Sequence, residues 1–212
     1  MLGKEVKANL GSEGNYFGIK VPHFSFTRLR TVDPVLRVEM SSTGEVACFG
    51  NTLYEAYYKA ILSTGVEISK KAVLLSLGGE EAKARLLQAA RLLSENKYQI
   101  FATDRTWQFL NRYGLKAKFV YKVYEKKTPS VLEIVNKRQV GFVVNLSDRS
   151  DLGVKELKKE TSDGYLIRRA AVDANIPLFT KGSIANLFIR SIIKYDQKDL
   201  LILPWDYYLR KP

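Results

Sequence analysis

From residue 51 onward, short apolar runs alternate with segments whose apolar residues recur at helical spacing. The runs are AVLLSL (72–77), YQIFAT (98–103), AKFVYKV (117–123), GFVVNL (141–146) and IPLF (176–179). Each has the length of a strand and is short for a helix. A helix over 80–96 carries Leu86, Leu87, Ala90 and Leu93 on one face, and a helix over 104–113 is closed by Gly114. Thr128 and Pro129 suit the N-cap and first position of a helix reaching 138. A polar stretch, SDRSDLGVKELKKETSDG (147–164), precedes a helix over 165–174. The last helix starts near Thr180, with Ile184, Leu187, Phe188 and Ile192 inward. All-apolar strands alternating with amphipathic helices predict an α/β fold: a three-layer, Rossmann-like parallel sheet covered on both faces.

The first 50 residues lack this rhythm and predict a short irregular segment with scattered glycines. Its one extended piece is IKVPHFSF (19–26), where Phe24 and Phe26 alternate with His23 and Ser25 and Pro22 marks an edge. Thr52 and Glu55 have capping-box spacing for a helix whose face is Leu53, Ala56, Tyr57, Ala60 and Ile61, ended by Gly65. The chain thus divides into 1–50, a linking helix within 51–70, a regular domain over 71–193 and a tail over 194–212. The tail is too apolar for a free coil, and the sequence does not say what it packs on.

Composition agrees with a packed domain, at 46% hydrophobic and 11% aromatic residues. No apolar run reaches bilayer length and the first residues lack a signal-peptide core, so the expectation is a cytoplasmic protein with no membrane partner. One cysteine (Cys48) and one histidine (His23) argue against an internal disulfide and a zinc site. The net charge of +12 is spread along the chain with no nucleic-acid-reading motif, which favours a solvated basic surface over nucleic acid.

Parallel sheets take ligands outside the carboxyl ends of their strands. Those ends carry Ser76, Thr103 with Thr106, Lys122, and Asn145 with Ser147. Hydroxyls, an amide, a fixed charge and helix N-termini suit a phosphate or carboxylate. Each residue also has a plainer reading. Thr103 is an ordinary N-cap and Lys122 a solvated charge. Asn145 is either a turn residue or a ligand hydrogen-bonder. Arg168 and Arg169 read as surface salt bridges, or as one arginine turned inward. There is no phosphate loop, no nucleophile elbow and no acid/base pair, and Gly78–Gly79 is only a turn. Asp104, beside Thr103, is in principle an acid or base, and its plainer reading is a first-turn carboxylate favoured by the helix dipole.

These residues carry a family likeness. KVPHFSFTRLRTVDPVLRVEMSSTGEVACFG (20–50) resembles the end of the second ATP-grasp unit of carbamoyl-phosphate synthetase large subunits. Residues 71–193 resemble the methylglyoxal-synthase-like regulatory domain that follows it, through VLLSL, ATDRT, YKV, VVNLS and YLIRRAAVD. The parent enzymes make carbamoyl phosphate from ATP, bicarbonate and glutamine or ammonia, for pyrimidine and arginine biosynthesis. The resemblance implies an allosteric segment without catalytic residues, metal or cofactor of its own; ATP with Mg or Mn belongs to the parent. Its implied partners are a uridine- or inosine-monophosphate-like anion, the remainder of the large subunit and the glutaminase subunit. Carried over, Ser76, Lys83, Thr103, Thr106 and Lys122 hold the phosphate and ribose side, and Asn145 and Ser147 face the rest of the ligand. Tyr121 and Lys122 stand where members responding to N-acetylglutamate have a tryptophan nearby, which favours a nucleotide. Two other readings stay open: a stand-alone lyase acting on a triose phosphate, and a ligand-free interaction module.

Overall fold

The computed structural model describes residues 15–24, 34, 42–146 and 154–209, with 154–162 and 209 described by backbone alone. Its centre is a five-stranded parallel sheet. The strands are β3 (Ala72–Leu77), β4 (Gln99–Thr103), β5 (Lys118–Val120), β6 (Phe142–Leu146) and β7 (Leu178–Phe179), in the order β5-β4-β3-β6-β7. They follow a hairpin of β1 (Phe17–His23) and β2 (Gly44–Gly50). The helices are α1 (Leu53–Ser63), α2 (Glu80–Glu95), α3 (Asp104–Arg112), α4 (Val131–Asn136), α5 (Val154–Asp173), α6 (Gly182–Lys194) and α7 (Trp205–Leu209).

Side-chain alternation splits the sheet cleanly. Val73, Leu75, Ile100, Ala102, Phe142 and Val144 face a core completed by α1, α2, α3 and α6. Ala72, Leu74, Phe101, Val120 and Val143 face a second core closed by α4 and α5. Three layers result. On the first face Phe142 meets Phe188 at 5.2 Å edge-on, and Phe179 stacks on Phe188 at 4.3 Å between centroids. The winding runs outward from β3 to β5, then returns to β6 on the other side of β3. The crossovers α2 and α3 therefore lie on one face and the crossovers α4 and α5 on the other, as right-handed connections require.

Several expectations are corrected. The first 50 residues were expected to be irregular with one strand, yet β1 pairs antiparallel with β2, from Phe17 opposite Gly50 to His23 opposite Gly44. Residues 25 and 26 of the expected strand lie outside the described residues. Leu53 is largely exposed, and α1 buries Tyr58 as well as Ala56, Tyr57, Ala60 and Ile61. Ser130 caps α4, accepting from Glu133 N at 3.2 Å; Thr128 and Pro129 do not. The reason is that Pro129 O accepts from Tyr121 N at 2.9 Å, which holds that residue beside the end of β5. β5 itself is shorter than the apolar run around it. The backbone is helical from Val154, within the stretch expected to be polar and irregular. α6 begins at Gly182, and Ile184 is exposed while Ala185, Phe188 and Ile189 point inward.

The tail is anchored on the hairpin. Tyr208 is buried, donates to Phe49 O at 3.1 Å and accepts from Lys59 Nζ at 3.2 Å. Lys59 also donates to Glu55 Oε1 at 2.6 Å, while Glu55 Oε2 accepts from Asn51 N at 2.8 Å. Burial works against the Lys59 charge, but the hydrogen bonds to Glu55 and Tyr208 outweigh it and hold the ammonium above its ordinary range. Trp205 stacks obliquely on Phe49 at 4.4 Å and Tyr16 meets Trp205 edge-on at 5.5 Å.

Two outcomes follow from this packing. A methyl group at Gly141 would collide with the Lys70 carbonyl oxygen. Gly141→Ala should therefore cost about 1–3 kcal/mol, typical of overpacking, seen as a lower Tm in calorimetry. Tyr208→Phe removes a donor and an acceptor from a buried network and should cost about 1–2 kcal/mol in urea unfolding. An unchanged midpoint would mean that the tail is not bolted down.

Candidate functional site

The return from β5 to β6 leaves β3 and β6 as neighbours whose connections depart in opposite directions. A reversal of this kind is where open parallel sheets form a ligand crevice, at the carboxyl ends of the two strands. Ser76 and Asn145 are register partners across it. Both lie on the α4/α5 face by alternation with Leu74 and Val143. Thr103 ends β4 on the same face, two residues past Phe101. Its Oγ1 donates to Ser76 Oγ at 3.4 Å. The result is a row of hydroxyl, hydroxyl and amide across three adjacent strands, all buried.

Thr103 therefore does not cap α3 with its side chain, although its backbone occupies the N-cap position. Thr106 is fully buried and tied to the sheet: its Oγ1 accepts from Leu77 N at 2.9 Å and lies 3.4 Å from Leu77 O. That hydroxyl bolts the start of α3 to the end of β3. Gly79 is the N-cap of α2, with φ of 68° and no side-chain cap. The Gly78–Gly79 turn thus lets α2 begin directly above the end of β3, with the left-handed backbone that glycine accepts.

Lys83 is buried on α2 and donates to Glu80 Oε1 at 2.6 Å. That bond holds the exposed Glu80 carboxyl below its usual range. Its Nζ also lies 6.0 Å from the Phe109 ring centroid on α3, three residues beyond Thr106. Lys122 is half-buried at the head of a 3-10 turn over Val123–Glu125. Its backbone N donates to Glu125 Oε2 at 2.6 Å, and its Nζ lies 5.9 Å from the Tyr124 ring. Among the described residues no hydrogen bond joins Lys83 or Lys122 to the Thr103–Ser76–Asn145 row. Ser147 lies outside the described residues.

Sequence reasoning missed Arg168 as part of the site. It is buried, and its Nη1 donates to Asn145 Oδ1 at 2.9 Å. Arg169 is buried too and pairs with Asp173, whose hydrogen bond keeps the guanidinium above its ordinary range. Of the two readings, surface salt bridges or one arginine turned inward, Arg168 follows the second, and Arg169 is buried while keeping a salt bridge to Asp173. A usable signal existed. Arg168 adjoins Ile167 and sits three residues before Ala171, both inward-facing, so a helical wheel puts it at the margin of the core. Asp104, the carboxylate beside Thr103, accepts from Gln108 Nε2 at 2.9 Å on its own helix.

Among the described residues no three His, Cys, Asp or Glu side chains converge to hold a metal ion. Nor is any helix among them long and apolar enough to cross a membrane. A separate open groove of roughly 490 Å³ runs between β2, α1 and the tail and shares no residue with the strand-end set.

Residues 85–180 match the family model "MGS-like domain". The chain is 38% identical over 202 residues to "Multifunctional protein CAD" of Squalus acanthias, covering 91% of this chain and 9% of that protein. It is 38% identical over 183 residues to "Multifunctional protein URA2" of Saccharomyces cerevisiae, with 84% and 8% covered. To the human "Carbamoyl-phosphate synthase [ammonia], mitochondrial" it is 36% identical over 189 residues, with 87% and 12% covered. It thus spans about a tenth of the length of these relatives. Methylglyoxal synthase from Elizabethkingia anophelis NUHP1 overlays with a TM-score of 0.41 and 16% identity, over 66% of this chain and 91% of that one. The family match and the sequence alignments agree: this chain carries a domain of the MGS-like family, in the form found in carbamoyl-phosphate synthetases.

Proposed function

We propose that the crevice at the β3–β6 reversal binds a small anionic effector, a nucleoside monophosphate, and that the chain is a regulatory segment of a carbamoyl-phosphate synthase without chemistry of its own. The observation that carries this is the buried Thr103–Ser76–Asn145 row at the switch point. Thr103 bonds Ser76 and Asn145 bonds Arg168, which leaves the Ser76 hydrogen and the Asn145 Nδ2 group to meet a ligand. The N-terminal ends of α2 and α3 lie beside the same strand ends and favour negative charge.

The cations have distinct parts. Lys122 supplies charge from the β5 side. Lys83 reaches an anion by exchanging its ion pair with Glu80, whose carboxylate is exposed and free to be hydrated in its place. Thr106 is committed to Leu77, so its contribution is to hold the start of α3 in place. Asn145 faces the rest of the ligand, with Ser147 after it in sequence. ATP and a divalent ion would act in the remainder of the synthetase, which with a glutaminase subunit is the partner of this segment.

Occupancy is transmitted through packing. Asn145 bonds Arg168 of α5, and α5 packs on α4. A ligand that prefers one seating of α5 would bias the contact between this domain and the rest of the enzyme. Coupling of this kind is worth about 1–3 kcal/mol.

The test is calorimetric titration of the 212-residue chain with uridine and inosine monophosphates. Saturable binding of at least one is expected. Lys122→Ala should weaken it by about tenfold or more, the loss of one charged hydrogen bond, with the melting temperature unchanged. No heat with either nucleotide would defeat the effector reading. Formation of methylglyoxal from dihydroxyacetone phosphate would replace it with a lyase.

A further inference from the structure

Asn145 shows its amide in one orientation. Both it and Arg168 are only 4% exposed, and the guanidinium donates to Oδ1 at 2.9 Å. Guanidinium nitrogens donate and never accept. The flipped amide would set N–H against N–H inside the protein, so the oxygen is fixed toward Arg168. The Nδ2 group, a donor with two hydrogens, is then the end of the Asn145 amide that Arg168 does not engage. Among the described residues its side chain makes no second hydrogen bond.

Ser76 is biased the same way. Its Oγ already accepts from Thr103 Oγ1, which leaves its own hydrogen free to donate. A donor therefore stands on each of the two central strands, although the Ser76 hydroxyl keeps one lone pair and Asn145 alone is restricted by its orientation. Gly164 makes this arrangement possible. It lies one turn before Arg168 on α5, and a Cβ there would be 2.7 Å from Arg168 Nη1 and 3.6 Å from Asn145 Oδ1. A Cβ at that position would push the end of the guanidinium aside from where it meets the amide.

We propose that Arg168, seated by Gly164, is a positioning residue that locks Asn145 as a hydrogen-bond donor, so that the crevice selects ligands presenting a carbonyl oxygen and rejects those presenting an amino group at that point. This rests on the reading of the crevice as a nucleoside-monophosphate site. For such ligands, keto bases (uracil, hypoxanthine) are taken over their amino counterparts (cytosine, adenine). An amino group would face Nδ2 donor to donor, with neither satisfied, and buried mismatches of that kind discriminate far more strongly than a change of size.

The experiment is calorimetric titration of the full chain with uridine, cytidine, inosine and adenosine monophosphates, with near-ultraviolet circular dichroism confirming the fold of each variant. In the unmodified chain, uridine should bind about tenfold or more tighter than cytidine, and inosine than adenosine. In Arg168→Met the amide is free to turn, and each ratio should fall to within about threefold. Gly164→Ala keeps every charge and should narrow the ratios in the same direction, which decides the matter if Arg168→Met does not fold. Asn145→Asp, an acceptor only, should shift preference toward the amino bases. Equal affinities in the unmodified chain, or a folded Arg168→Met or Gly164→Ala that keeps its ratios, would overturn the lock while leaving the effector site standing. If none of the four monophosphates binds, the effector reading fails and the lock fails with it.

Discussion

Five parallel residue pairs, from Val73 with Phe142 to Leu77 with Leu146, hold the two central strands in register. The site depends on that register being right. Side chains alternate across a sheet, so a slip of one residue would turn Asn145 to the α2/α6 face and put Leu146 beside Ser76. The pairing is secured by the cores on its two sides, with Phe142 and Val144 packed into one and Val143 into the other. Polar groups at the strand ends are thus placed by apolar groups one residue away. The bond from Leu77 N to Thr106 extends that placement to α3, so the first turn of the helix and the end of the strand share one rigid position.

The parallel sheet was legible because its strands are buried on both faces and read as unbroken apolar runs. The hairpin was half legible. IKVPH alternates and β1 is there, but GEVACFG leaves both faces partly exposed, so β2 has no apolar face to announce it and is a strand through its pairing with β1. Thr128, Pro129 and Ser130 all suit a helix start; the choice fell to Ser130 because Tyr121 claims the Pro129 carbonyl, a contact invisible to local pattern.

The strand-end residues could be enumerated because strand ends follow from strand runs. Their division of labour could not. Thr103 turns toward Ser76 and away from capping, and Thr106 serves the backbone of β3. These outcomes depend on which strands are neighbours, and neighbour order is a property of the whole winding. Arg168 lay further from view still. A charged residue in LIRRAAV reads as solvated until a buried acceptor is found for it, and that acceptor is 23 residues earlier in the chain.

The network joining Glu55, Lys59, Phe49 and Tyr208 has a consequence in time as well as in space. Within this sequence, an element near the beginning is completed by one near the end. During synthesis β1 and β2 emerge before the parallel sheet, and two-stranded hairpins are marginal alone. They wait through the whole sheet before Trp205 and Tyr208 arrive to cover Phe49. Contacts of such long sequence separation form late, since loop closure is unfavourable until the intervening chain has ordered. The hairpin and the last helix thus act as a closing latch, engaged only after the parallel sheet between them has been made.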